Sequence, residues 1–225
     1  GRWAVERLLE YGVDTRHIVE IDVETAQAII AVDTNGENSI ILYQGANVKI
    51  PTHVLEQALT QAETGDTLVF QNETNLQVQA ASLAAKMGLR VAYAAAPFDS
   101  DAVMAVLPYL DFLILNEVEA AQFKDATGQG PQDIPVKDVI VTLGARGATW
   151  FGPDGPINVS AHKVTPIDTT GAGDTFTGYV LAGLDRGQPM LQAMQMASKA
   201  AAIMVTRRGT ADVIPDLADV QSFSD

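Results

Sequence analysis

Residues 89–115 read LRVAYAAAPFDSDAVMAVLPYLDFLIL, and this stretch contains one complete unit of the pattern that runs through most of the chain. Each end is a short apolar run, at 89–93 and at 111–115, and a helical pattern lies between them near 99–107. Two apolar strands with an intervening helix are typical of a right-handed crossover between parallel strands. The stretch therefore predicts a βαβ unit.

The same alternation extends to both sides of this unit. Residues 67–71 (TLVFQ) precede a helical pattern near 75–87, the run at 111–115 precedes one near 117–123, and the run DVIVT occupies 138–142. Strands that alternate with helices in this way form a parallel sheet with helices on both of its faces. We therefore expect an α/β fold.

Two segments break the alternation. Residues 25–44 are predicted to form a β-hairpin around Asn35-Gly36, a pair that fits a type I′ turn because both residues tolerate positive φ. Alternate residues on both faces of this hairpin are apolar, so we expect both faces to contact something other than water. A second hairpin, with strands at 148–151 and 157–164, is predicted to turn at Pro153-Asp154-Gly155.

The composition is that of a folded globular protein. The 225 residues are 47% hydrophobic and 19% charged, include no cysteine, and carry a formal net charge of −14. The acidic excess opposes binding to nucleic acid or to an anionic membrane surface, and no apolar run approaches the ~20 residues of a membrane helix. Without cysteine there is no thiolate metal site or disulfide framework. We expect a cytoplasmic protein that holds any anionic ligand by local dipoles.

The stretch most informative about chemistry is 165–176, TPIDTTGAGDTF, which is predicted to end a strand and to begin a helix. Gly171 and Gly173 lack Cβ atoms, so the first N–H groups of that helix are unshielded, and the helix dipole adds about half a positive charge there. This arrangement predicts a cradle for a phosphate or an oxyanion. Asp174 follows directly and is well placed to accept a proton from an attacking hydroxyl. The alternative is an ordinary Gly-rich turn in which Asp174 only complements the dipole.

The string DTTGAGDTF at 168–176 closely resembles the C-terminal signature of the ribokinase-like (PfkB-type) carbohydrate kinase family, and the chain is most similar to the ribokinase branch. Further resembling segments follow in the family's order: GENSI at 36–40, GAN at 45–47, NEVEA at 116–120, TLGARG at 142–147 and TRRG at 206–209. The resemblance implies ATP-dependent phosphorylation of a sugar hydroxymethyl group by a doubly wound α/β domain. That domain would comprise residues 1–24 and 45–225, with residues 25–44 as a hairpin of a small β-sheet lid.

The acceptor is left open by the sequence. Ribose or a related sugar is the first expectation, and kinases of 2-keto-3-deoxygluconate, fructose, fructose 1-phosphate or nucleosides are the alternatives within the family. An alternative of a different class is a non-catalytic relative that binds sugar or nucleotide. The two apolar faces of the 25–44 hairpin predict that it serves as lid and as the surface of a homodimer, because a sugar pocket accounts for only one face.

The resemblance assigns roles around the glycine motif. Asp174 is similar to the family's catalytic base, and Gly171, Ala172 and Gly173 are similar to its anion hole. A monovalent-cation site, expected to hold K⁺, is implied at six positions: Asp168, Thr170, Met204, Arg207, Gly209 and Val213. Val213 departs from the hydroxyl residue often found at this position in the family. The alternative for Asp168 is a turn residue at the end of a strand.

Further roles are implied for the nucleotide, magnesium and the sugar. Asn116 and Glu119 resemble residues associated with Mg²⁺, bound through water, and with the nucleotide phosphates, although Asn followed by Glu at this spacing also predicts a plain capping box. The nucleotide positions are Thr142, Leu143, Gly144, Ala145, Arg146 and Gly147, with Gly173 and Ser198. Ser198, within an Ala-rich helix, is equally expected to pack. Glu73 resembles a sugar-contacting position, or else is a solvated acid at a helix start.

The remaining expectations concern departures from the family. Tyr179 stands where the signature usually has a small residue. Between Glu119 and Val139 the chain is shorter than typical ribokinases by about one helix, and Gly128, Gly130 and Pro131 predict a loop there. Ribokinase-like chains open with a strand that carries a sugar-binding Asp, followed by a Gly-Gly segment. Residues 1–9 instead read as an amphipathic helix, so we expect an upstream segment that supplies these parts.

Overall fold

The computed structural model describes residues 1–32 and 38–223. Within these residues the strands are β1 Gln27–Val32, β2 Asn38–Tyr43, β3 Thr67–Gln71, β4 Arg90–Ala94, β5 Phe112–Asn116, β6 Asp138–Thr142, β7 Ala148–Gly152 and β8 Gly155–Val159. The α-helices are α1 Arg2–Glu10, α2 Thr52–Leu59, α3 Gln77–Met87, α4 Ser100–Val106, α5 Glu117–Thr127, α6 Ala172–Asp185, α7 Met190–Val205 and α8 Leu217–Ser222. None of these helices is long and apolar enough to cross a membrane.

The central sheet of the described residues has the order β3-β4-β5-β6-β7-β8. Strands β3 to β6 are parallel, and β6, β7 and β8 pair in antiparallel fashion. The parallel half is built from the predicted βαβ units, because a helix returns the chain to the starting edge of the sheet. The antiparallel half is built from direct hairpins. The α/β prediction is confirmed.

Helices cover both faces of the sheet. Alternate residues of β4 point to opposite sides, so Val91 and Tyr93 belong to a core with α3, α4 and α5, whereas Ala92 and Ala94 belong to a second core with α6 and α7. The side chains of Tyr93 and Phe112 are at most 1% exposed. Because both faces of the sheet are buried, the strands must be apolar along their whole length, as residues 91–95 and 112–115 are.

The helix predicted between β4 and β5 forms as α4, and Asp99 is its N-cap residue. Asp99 has extended backbone, and its Oδ1 accepts a hydrogen bond from the N–H of Ala102 at 2.8 Å. This bond satisfies one of the N–H groups that a helix start leaves without an intrahelical acceptor. After α5, a single 3₁₀ turn at Pro131–Asp133 leads to β6, so the loop predicted around Gly128 to Pro131 is confirmed.

Two strand predictions are wrong. The second hairpin turns at Pro153-Asp154 as predicted, but β8 ends at Val159 rather than at residue 164. Residues 160–170 form no strand, so the glycine motif does not follow a strand end. The N–H groups of Ile167 and Asp168 donate instead to the Val205 carbonyl at the end of α7, at 2.7 and 3.1 Å. A helix end offers such free carbonyls, and Pro166 has no N–H for a ladder.

The first hairpin forms as predicted, with Gln27 opposite Tyr43 and Ile29 opposite Ile41. The Asn35-Gly36 turn, and part of the GENSI segment, lie outside the described residues. Ile29 and Ile41 are 63% and 66% exposed, and Leu42 and Tyr43 are also exposed. The expectation that both faces contact something other than water therefore requires a partner beyond the described chain.

A polar contact ties β6 to β7 inside the sheet. The Trp150 indole N–H donates to Asp138 Oδ1 at 2.9 Å. Burial raises the pKa of Asp138, and this hydrogen bond, together with Lys137 and Arg90, lowers it by less. The carboxylate of Asp138 is therefore charged in an environment that favours its protonated form.

We expect Asp138→Asn to raise the free energy of unfolding more at pH 7 than at pH 4. Because the pKa of Asp138 is raised in the folded state, the free energy of unfolding falls as pH rises from about 3.9 through that pKa. Asparagine carries no charge at either pH, so this decrease is absent, and its side-chain oxygen can still accept the indole N–H. Urea unfolding at pH 4 and pH 7 measures the difference. The exposed Asp125→Asn is the control, and an equal effect of the Asp138 variant at both pH values would contradict the prediction.

Candidate active site

The site lies at the edge of the sheet where the parallel strands end. Gln71 of β3 is in register with Ala94 of β4, and Asn116 of β5 is in register with Thr142 of β6. The N-terminus of α6 lies beside the β3 end of this edge, because the Asp174 side chain contacts Gln71. Ligands of open parallel sheets bind outside the carboxyl ends of the strands, and this edge is therefore the candidate site.

The start of α6 leaves backbone donors open. Gly171 is the N-cap residue at φ 76°, and no side chain caps the helix. The Ala172 N–H donates to the Thr169 carbonyl at 3.3 Å, whereas no acceptor among the described residues is in place for the N–H groups of Gly173 and Asp174. These open N–H groups lie where the cradle for an anion is predicted.

The motif glycines differ in what they do. Gly171 adopts φ 76°, a backbone conformation that favours glycine, and a Cβ atom there would lie 2.8 Å from Met204 Cε, the flexible end of a side chain on α7. A Cβ atom at Gly173 would meet nothing within 4 Å. Gly173 is therefore not required by the packing of the chain, and its missing side chain keeps the cradle open to a ligand.

Asp174 projects from the first turn of α6 into a cleft of about 710 Å³. The polar residues that line this cleft include Asn47, Gln71, Glu73, Asn75 and Asp174, and its apolar wall includes Leu68, Phe70 and Leu181. The structure thus brings Glu73 and Asp174, which are far apart in sequence, to one cavity. Carboxylates and amides above an apolar wall suit a polyhydroxylated ligand of small size. Residues 27–29 of β1 and 41–43 of β2 do not line it.

Asn75 organises one rim of the cleft. Its Oδ1 accepts from the Ile50 N–H at 3.0 Å, and its Nδ2 donates to the Ile50 carbonyl at 2.9 Å. The Asn75 N–H also donates to the Asn47 carbonyl at 3.4 Å. The GAN segment at 45–47 is thereby fixed against the loop that carries Glu73.

Asp168 lies next to the cradle. Its Oδ1 accepts from the Thr170 N–H at 3.0 Å and its Oδ2 from the Gly209 N–H at 3.4 Å, and the hydrogen bonds from Thr170 are the main cause of the lowered pKa of Asp168. Asp168, Thr170 and Gly209 are therefore brought together. The Asp168–Thr170 bond is also that of an ordinary turn, so both interpretations of Asp168 agree with the geometry.

Two of the other proposed cation ligands, the carbonyls of Met204 and Val213, already accept hydrogen bonds from Arg207. The Met204 carbonyl accepts from the Arg207 N–H at 2.9 Å, and the Val213 carbonyl accepts from the Arg207 guanidinium at 3.3 Å. The same guanidinium pairs with Asp219. A carbonyl oxygen retains a second lone pair, but the adjacent cation at Val213 makes that carbonyl the weakest of the proposed ligands.

Asn116 and Glu119 form the capping box that their spacing predicts. Asn116 Oδ1 accepts from the Glu119 N–H at 2.8 Å, and Glu119 Oε2 accepts from the Asn116 N–H at 2.7 Å. Burial raises the pKa of Glu119, and its bond with Asn116 opposes this shift. No cationic side chain of the described residues pairs with Glu119, and the capping box engages only Oε2. A half-buried carboxylate of this kind is a suitable position for a hydrated Mg²⁺.

The candidate nucleotide segment, residues 142–147, turns tightly after β6. The Leu143 N–H donates to the Gly147 carbonyl at 2.7 Å, and Gly147 has φ 100°. A Cβ atom at Gly147 would lie 2.0 Å from the Val159 carbonyl, so only glycine fits against β8. Within the turn, Gly144 and Ala145 precede Arg146, whose guanidinium pairs with Glu117 in the first turn of α5. Ser198 lies apart on α7, where its buried hydroxyl donates to the Ser160 carbonyl at 3.1 Å.

Sequence reasoning missed two site residues, Gln71 and Asn75. Gln71 was the last residue of a predicted strand, at the edge where ligands bind, and this position was a usable signal. Asn75 gave no such signal, because its partner Ile50 is distant in sequence and its role depends on the folded loop.

Comparison with known proteins agrees with this geometry. The model of a family described as pfkB family carbohydrate kinase matches residues 2–217. A ribokinase from Schizosaccharomyces pombe is 34% identical over an alignment that covers 93% of this chain and 71% of that protein. A ribokinase from Haemophilus influenzae is 32% identical over an alignment that covers 99% of this chain and 77% of that protein.

A solved structure shares the fold closely. The crystal structure of a ribokinase from Cryptococcus neoformans in complex with ADP superposes with a TM-score of 0.84 at 30% identity, covering 98% of this chain and 78% of the other. The hydroxyl of Tyr179 donates to the Pro215 carbonyl at 2.6 Å.

Proposed function

Because the chain belongs to the pfkB family of carbohydrate kinases, and is a kinase that uses ATP to phosphorylate a sugar, we propose that its acceptor is the hydroxymethyl group of ribose or a related sugar. The observation that carries this proposal is the position of Asp174, beside the open N–H groups of α6 and in the same cleft as Glu73. Kinases of 2-keto-3-deoxygluconate, fructose or a nucleoside are the alternatives.

In the proposed reaction Asp174 accepts the proton of the sugar hydroxyl as its oxygen forms a bond to the γ-phosphorus of ATP. The bond between that phosphorus and the bridging oxygen breaks, and ADP leaves. Gly171, Ala172 and Gly173 are proposed as the anion hole, in which the open N–H groups of Gly173 and Asp174 and the helix dipole face the charge on the transferred group. Glu73 is proposed to hold a sugar hydroxyl at the other side of the cleft, and Asp174 to contact the same sugar.

The nucleotide is proposed to lie along the ends of β5 and β6. Asn116 and the turn from Thr142 to Gly147 would contact it, with Gly173 at its terminal phosphate and Ser198 on the adenine side. The existing bond of Ser198 to Ser160 makes Ser198 the least supported of these residues. Glu119 is proposed to hold Mg²⁺ through water, and Mg²⁺ when bound would neutralise phosphate charge.

We expect Asp174→Asn to lower kcat by at least ~10², the scale for loss of a positioned acid–base group. The amide has the shape of the carboxylate but cannot take the proton, so the fold and ATP binding should be nearly unchanged. ADP release is measured with ribose and with a panel of hexoses and nucleosides. Asp185→Asn, at the other end of α6, is the matched control.

The panel also tests the acceptor. Fastest release with a pentose supports the proposal, and fastest release with a nucleoside or a 2-keto-3-deoxy acid replaces it. An Asp174→Asn rate above about half that of the unaltered protein would mean that Asp174 is not the base.

A monovalent cation is proposed next to the cradle, with Asp168 as its charged ligand and with Thr170, Met204, Arg207, Gly209 and Val213 around it. The lowered pKa of Asp168 keeps its carboxylate ionised at neutral pH, as a cation ligand requires. We expect the rate to rise when K⁺ replaces Na⁺ at equal ionic strength, because a bound cation orders the turn before α6. Asp168→Asn should remove this response, and equal rates in both salts would count against the site.

A homodimer through the 25–44 hairpin is also proposed, since apolar residues on both of its faces are exposed. We expect light scattering to give the mass of a dimer at micromolar concentration, and Ile41→Asp or Tyr43→Asp to give a monomer. Val118→Asp, another exposed apolar position on α5, is the control. A monomer in the unaltered protein would defeat this proposal without affecting the kinase assignment.

A further inference from the structure

Gln71 contacts the carboxylate that we propose as the base. Its Nε2 donates to Asp174 Oδ1 at 2.8 Å. An ionised carboxylate can only accept hydrogen bonds, so the amide must present its NH₂ group to Asp174 and direct its carbonyl oxygen elsewhere. We propose that Gln71 is a positioning residue that fixes one oxygen of Asp174 and leaves the other to accept the proton of the sugar hydroxyl. This inference rests on the proposed function of Asp174.

The pleat of the sheet explains why Gln71 reaches Asp174. Leu68 and Phe70 of β3 pack into the core with α3, so the residues between and after them face the other side, toward α6. Gln71 is in register with Ala94, which belongs to the core beneath α6 and also lines the cleft. The small Ala94 side chain leaves room for the glutamine to extend across it to the start of α6.

Asp174 needs such a partner because little else holds it. Its side chain is exposed in the first turn of α6, and among the described residues the bond from Gln71 is its only side-chain hydrogen bond. A free carboxylate samples several rotamers, whereas phosphoryl transfer depends mainly on the position of the reacting groups. An amide is also suited chemically, since it donates a hydrogen bond without supplying a positive charge that would pair with the base.

The test is Gln71→Met, which keeps the length and volume of the side chain and removes the donor. We expect kcat with ATP and ribose, or with the fastest acceptor of the panel, to fall about ten- to hundredfold, the scale for a lost hydrogen bond to a charged group. KM for ATP should stay within about twofold. Gln122→Met, at an exposed position on α5, is the matched control and should leave kcat unchanged.

Two further variants separate positioning from a structural role. Gln71→Glu should lose more activity than Gln71→Met, because it sets a carboxylate against Asp174, although the shape is retained. Gln71→Asn keeps the amide on a shorter side chain and should behave like Gln71→Met. Thermal melts check that each variant is folded. A Gln71→Met protein that melts like the unaltered protein and keeps full kcat would overturn the inference.

A double-mutant cycle shows whether Gln71 acts through Asp174. In the Asp174→Asn background, Gln71→Met should cause no further loss of kcat. An equal loss in both backgrounds would mean that Gln71 acts independently, for example as a sugar ligand, and would overturn the inference while leaving the proposed function intact. Full activity of Asp174→Asn alone would instead refute the proposed base, so the two failures are distinguishable.

Discussion

The candidate site depends on the way the chain enters α6. The N–H groups of Ile167 and Asp168 both donate to the Val205 carbonyl, which is one of the free carbonyls at the end of α7. This attachment fixes the segment that leads into Gly171, and Met204 packs directly beneath that glycine. The position of the open N–H groups is therefore set by α7 rather than by the sheet.

The same arrangement supports the proposed anion cradle in an acidic protein. The net charge of −14 repels phosphate at long range, and none of the described residues that line the cleft is basic. Local dipoles act at contact distance, where the N–H groups of Gly173 and Asp174 have no other acceptor among the described residues. Gly173 has no side chain that could block a ligand from these N–H groups.

The edge strand β3 links the cradle to the cleft. Gln71 at its end contacts Asp174, and the following loop carries Glu73 and Asn75. Asn75 in turn holds the 47–50 segment through paired bonds to Ile50. Two sets of hydrogen bonds, joined by the covalent segment from Gln71 to Asn75, thus connect the start of α6 with the rim of the cleft.

The α/β class, the hairpin at 25–44, the turn at 153–155, the capping-box spacing at Asn116 and the glycine motif could be predicted from the sequence. These features follow from short-range causes: strand burial, turn geometry and helix-end hydrogen bonds act within a few residues. The sequence misplaced the end of β8, because the partner of residues 167–168 is a carbonyl of a helix that comes later in the chain.

Only the tertiary structure brought Gln71 to Asp174 and Asn75 to Ile50, and only it distinguished Gly171 from Gly173. Each of these results depends on which elements pack together, and on the space that the packing leaves. A hydrogen bond across 103 residues leaves no periodic trace in the sequence. The residues of the site could thus be proposed one by one from local motifs, whereas their mutual contacts were decided by the folding of α6 and α7 onto the sheet.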